Sequence, residues 1–133
     1  MTEEELNRLA DSWIRYWHAR YVKDLSTQEE LFWLSDVEYD LSYNRPEEHW
    51  NLILAIHRKD QTIAIQQVLS AGPVEDLLVK HGDLFIERVE QQARRDPQFA
   101  KLLGGVWKNA MSDAVWKRLQ AVWDRRGWDG IPE

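Results

Sequence analysis

With 133 residues and a formal charge of −6, the chain is one domain by size, able to bury roughly two thirds of its unfolded surface. It has no Cys, which excludes disulfides, thiolate nucleophiles and cysteine-ligated metal sites. Net acidity argues against nonspecific nucleic-acid or membrane-surface binding by the whole molecule, and no apolar run nears the roughly 18 residues that span a bilayer.

Glu3, Glu4 and Glu5 open a helix over residues 3–21, since anions suit a helix N-terminus and Leu6, Leu9, Ala10, Trp13 and Trp17 recur at helical spacing. The acidic start lacks the layout of a secretory signal, so a cytoplasmic protein is expected. Ser26 and Glu29 form a capping box for a second helix of about sixteen residues, striped by Leu31, Leu34, Val37 and Leu41. Tyr39, Tyr43, Asp36, Glu38 and Asp40 crowd its remaining surface.

Pro46 occupies a first helical position, followed by Trp50, Ile53, Leu54 and His57 on one face. Asp60 caps the next helix, with Ile65, Val68 and Leu69 inward, and a left-handed Gly72 stops it. Val74, Leu77, Leu78 and His81 repeat the stripe after Pro73, and Phe99, Leu102, Leu103 and Val106 repeat it after Pro97. Between them Asp83 opens a helix with Phe85, Ile86, Val89 and Ala93 inward. Ser112 caps a last helix carrying Val115, Trp116, Leu119, Val122 and Trp123, which Gly127 ends.

The expected fold is therefore all-α: about eight short helices in stacked antiparallel hairpins, either a HEAT-like array or a compact irregular bundle. Residues 1–45 are read as an N-terminal helical extension, 46–126 as the core of hairpins and 127–133 as a tail. Eight Trp and four Tyr predict an aromatic-rich interior.

The run AGPVEDLL, then HG, FI, VE, A, DP, F, LL and VW over residues 71–107 resembles the central motif of an uncharacterised family of small bacterial proteins classed only as a domain of unknown function. The resemblance extends loosely to the helix from Pro46 and to that around Trp116, and leaves the first 45 residues unmatched. The family pattern has Leu where this chain has Val74. It implies no activity, cofactor or site residue.

Among residues capable of chemistry, His81 has Glu75, Asp76, Asp83 and Glu90 near it in sequence. A general base or metal ligand is one reading; a histidine closing an apolar stripe and donating to free helix carbonyls is the plainer one. Glu90 borders the inward positions Ile86, Val89 and Ala93, so it needs a partner, and Arg94 one turn on is the expected one. Glu75 and Asp76 are ordinary acids for a helix start. No metal or cofactor motif is found, and Gly104 and Gly105 lack the Lys-Ser/Thr of a phosphate loop; they are expected to admit a close helix, such as that bearing Trp116.

Charge is segregated. Residues 24–48 hold Asp24, Glu29, Glu30, Asp36, Glu38, Asp40, Glu47 and Glu48 against Arg45 alone, whereas residues 94–126 are basic. Nucleic-acid binding is not favoured, because no recognition motif accompanies the basic third. The expectation is a non-catalytic protein-protein interaction module, immunity- or antitoxin-like in one version, contacting its partner through Asp36, Glu38, Asp40, Trp107 and Trp128. Homo-oligomerisation between acidic and basic ends is a variant of it. The alternative is an enzyme or ligand-binding domain built on His81, Glu75, Asp76, Glu90 and Arg94.

Overall fold

In the computed structural model, which describes residues 1–133, helix α1 (Glu3–Tyr21) begins at Thr2, whose hydroxyl accepts from the Glu5 amide at 3.1 Å. It buries Leu9, Ala10, Trp13 and Ala19. Lys23, in the left-handed region at φ +61°, turns the chain out of it. Asp24 rather than Ser26 caps α2 (Leu25–Glu30), its carboxylate taking the Thr27 amide at 3.1 Å and the Thr27 hydroxyl at 2.6 Å. The expected sixteen-residue helix is broken at residues 31–33, and α3 (Leu34–Asn44) follows. Leu31 and Leu34 are both buried across the break, which is bridged by the Leu34 amide donating to the Leu31 carbonyl at 3.0 Å.

Pro46 is the first residue of α4 (Pro46–Lys59), as its missing N–H and preset φ favour. This helix packs against α1, α3 and α5 (Ile63–Leu69) and buries His49, Trp50, Leu52, Ile53, Ala55, Ile56 and His57. Asp60 lies between α4 and α5: one carboxylate oxygen takes the Thr62 amide at 2.9 Å, and the other lies 2.7 Å from His18 Nε2. Gln66 donates to the Asp60 carbonyl at 2.9 Å and sits 3.2 Å from His57 Nδ1, so the buried polar groups there satisfy one another.

The chain divides into two compact units, Met1–Leu69 and Ser70–Glu133. Residues 1–45 thus share a core with α4 and α5.

The second unit opens with a π-helical turn, Ser70–Val74, that runs into α6 (Glu75–Arg95). Gly72 is not left-handed and does not stop a helix there. The wide turn accommodates Pro73, which has no N–H to give a tighter ladder. Nor does Asp83 start a new helix: α6 continues through a kink at His81 (φ −135°, ψ 29°), the one residue inside it that leaves helical geometry. Gly82 follows the kink, buried against Val115.

Asp96 caps α7 (Pro97–Leu103), accepting from the Gln98 and Phe99 amides at 3.1 and 3.2 Å. Ser112 caps α8 (Asp113–Gln120), accepting from the Val115 amide at 3.2 Å. Val122 and Trp123 lie past the helix end, where the Trp123 ring meets Trp116 edge-on at 5.2 Å. α6 packs against α7 and α8 around Leu77, Leu78, Phe85, Ile86, Val89, Phe99, Leu102 and Leu119.

What closes on Gly104 and Gly105 is the tail, not the helix bearing Trp116. The Trp128 ring lies across both glycines, and its Nε1 donates to the Lys101 carbonyl at 2.7 Å. A Cβ on Gly105 would stand 2.6 Å from both Ser70 Oγ and the indole, which is why glycine is required.

Candidate functional site

The residues singled out around His81 separate. The kink in α6 sets His81 at a cleft of about 250 Å³ shared with Lys80, Asp83, Ser112 and the apolar Leu78, Leu84 and Val115. Glu75, Asp76 and Glu90 do not line it.

Glu75 faces the α7–α8 connection, where the Asn109 side chain and the Trp107 amide donate to it. Burial still raises its carboxyl above the usual range, and Asp76 beside it pushes the same way. Burial also raises Asp76, against the pull of Lys80. Trp107 remains exposed nearby. No group of three or more His, Asp or Glu side chains is placed to hold a metal ion.

Glu90 is 8% exposed, but its partner is Arg118 of α8 rather than Arg94. The guanidinium grips both carboxylate oxygens, Nε at 3.0 Å, and that hydrogen bonding holds Glu90 below the ordinary carboxylate range. Arg94 adds only a longer-range attraction. A bidentate fork ties the two helices together, occupies one lone pair on each carboxylate oxygen and lowers the basicity that a general base would need. Trp128 is likewise half-buried over its glycines.

A different surface emerges on the first unit. Of the twelve large hydrophobic side chains exposed in the chain, seven lie within residues 21–43: Tyr21, Val22, Leu25, Phe32, Trp33, Tyr39 and Tyr43. α3 and the turn before it hold four of them. Leu34 and Leu41 turn to the core, whereas Asp36, Tyr39 and Tyr43, spaced three and four apart, form a second stripe on the opposite face, and Phe32 stands exposed in the turn that precedes the helix. Phe32 is 70% exposed, Tyr39 65% and Tyr43 50%. The two tyrosine rings lie 4.5 Å apart along the stripe, with Asp40 and Trp33 on its flank. Asp36 is exposed amid the rings, and Asp40 binds Asn44 at 2.9 Å and Arg45. Arg45, the one cation among residues 24–48, is held by Asp40 and Glu48.

A family of unknown function, DUF6869, matches residues 22–127. The chain belongs to that family. The DUF6869 match starts well inside the first 45 residues, which the motif around residues 71–107 had left uncovered, and takes in α2, α3 and their exposed aromatics. No curated protein and no solved structure matches the chain.

Two features of this DUF6869 protein escape a reading of sequence spacing. Arg118 is 28 residues from Glu90, beyond any local rule. The break at residues 31–33, which leaves Phe32 exposed in a turn ahead of the Asp36, Tyr39 and Tyr43 face, carries no signal in the apolar spacing, since Leu31, Leu34 and Leu41 read as one helical stripe.

Proposed function

We propose that this DUF6869 chain is a non-catalytic, cytoplasmic protein-recognition module that takes a positively charged protein partner on the acidic, aromatic surface of residues 24–48. One observation carries this reading: exposed rings on the outer face of α3, in a segment with eight carboxylates and a single, already ion-paired arginine. Aromatic side chains provide contact area at small entropic cost, and the surrounding acids steer a basic partner and select against acidic ones. Neutralising a basic toxin, as an immunity protein or antitoxin does, is one task such a surface suits.

The test is to capture partners on the immobilised chain, purify them and titrate them back. Binding that weakens with salt and is lost in the Asp36→Lys, Asp40→Lys variant is expected. Binding indifferent to salt and to that variant overturns the reading.

A second reading, a small-ligand or enzymatic site, is favoured by the His81 cleft with its Lys80, Asp83 and Ser112 lining. It requires the His81 imidazole NMR signals to shift with a small polar ligand. A library of such compounds that leaves them unmoved removes it.

A further inference from the structure

We infer that the outer stripe of α3 receives one kind of partner element, an amphipathic α-helix with lysine or arginine along both edges of its apolar face. This rests on the recognition function proposed above and specifies its mode. On α3 the stripe from Asp36 to Tyr43 spans about 10 Å, or two helical turns, and Phe32 adds to it from the turn that precedes the helix. That length matches the apolar face of one crossing helix. Its spacing of three and four is the one that lets side chains of two helices interleave.

Backbone chemistry selects the helix over an extended peptide. α3 has its main chain engaged in its own ladder and has no edge for a partner strand to pair with. An extended peptide laid on Phe32, Tyr39 and Tyr43 would press its own N–H and C=O groups against rings that cannot bond them. A helix satisfies those groups internally and brings only side chains.

Charge selects the sign. Asp36 sits inside the stripe and Asp40 on its flank, while Arg45 is turned to Asp40 and Glu48. Cations on the partner's flanks meet carboxylates there, whereas an acidic helix meets repulsion.

The probes are three synthetic peptides of about eighteen residues. One is a leucine-lysine amphipathic helix, one has the same composition scrambled to abolish the stripe, and one has glutamate in place of lysine. Each is titrated calorimetrically into the full chain. The first is expected to bind at least about tenfold more tightly than the scrambled one, and the third not to bind. Tyr39→Ser with Tyr43→Ser should weaken the first peptide by about tenfold or more. Both side chains are at least half exposed, so the fold is retained, as circular dichroism will verify. Equal binding of the two lysine peptides sinks the helical mode yet leaves charge-based recognition standing, whereas failure of both removes the recognition reading itself. Sedimentation velocity without peptide supplies the other decisive outcome. A dimer that Tyr39→Ser with Tyr43→Ser dissociates gives the stripe to a second copy of the chain and overturns the inference.

Discussion

Replacing Trp128 by alanine takes away an indole that covers Gly104 and Gly105 and donates to the Lys101 carbonyl at 2.7 Å. Removing about 150 Å² of apolar contact at about 25 cal/mol per Å² costs about 4 kcal/mol, and the lost hydrogen bond about 1 kcal/mol more. Against this, freeing the two or so tail residues that the ring anchors returns about 2 to 3 kcal/mol of backbone entropy. The net expectation is a loss of about 2 to 3 kcal/mol, read as a lower urea midpoint with the slope little changed. A companion substitution isolates the contact. Gly105→Ala places a methyl 2.6 Å from both the indole and Ser70 Oγ, an overpacking worth about 1 to 3 kcal/mol. In the Trp128→Ala background that penalty should shrink by about 1 kcal/mol, because one of the two obstacles is gone. If Trp128→Ala changes stability by less than about 0.5 kcal/mol, the ring is not docked and returns to the list of partner contacts.

Arg118→Ala should destabilise the chain more than Arg94→Ala, since only Arg118 holds both oxygens of the buried Glu90; urea titration of the two variants decides it, and the reverse order refutes the assigned pairing. Hydrogen bonds from Arg126 hold Asp124 at about 2, below its ordinary 3.8. Because the folded-state value is the lower one, this stabilisation is complete above the unfolded value and disappears as pH falls toward 2, so Asp124→Asn should flatten the acid limb of the stability profile between about pH 4 and 2. An unaltered limb would rule that out. Asp76 has the opposite sign: burial raises its carboxyl, so the charged form costs stability at neutral pH. Asp76→Asn is expected to raise the urea midpoint at pH 7, with the gain fading once Asp76 is protonated. A lowered midpoint at pH 7 would mean that the Lys80 attraction outweighs burial.

The helix starts were the most legible part of the sequence, for a local reason. Pro46 and Pro97 act through their own preset φ and missing N–H, and Ser112 through an amide three residues on, so their roles do not depend on what packs above them. The same locality misled at Ser26, Gly72 and Asp83. A better cap stood two residues earlier at Asp24, a wide turn accommodated Pro73, and α6 ran on past its kink instead of stopping.

For the candidate site, sequence distance set the limit. Glu90 was recognisable as a carboxylate needing a partner from its place beside Ile86, Val89 and Ala93, yet Arg94 was only the nearest cation. The choice of Arg118 required α8 to lie against α6, a matter of which apolar faces bury together. His81 lines its cleft with Asp83, but Glu75, earlier on the same helix, points to the Trp107–Asn109 connection and Asp76 is half-buried beside Lys80.

By itself the sequence determined the all-α class, most helix starts and the segregation of acid from base, because periodicity, capping and charge are written in neighbouring residues. The tertiary structure alone decided that Glu90 would pair with Arg118, 28 residues on, and that Trp128 would fold back over Gly104 and Gly105. Contacts of that sequence separation follow from which apolar faces bury together, and no window of neighbouring residues contains that choice.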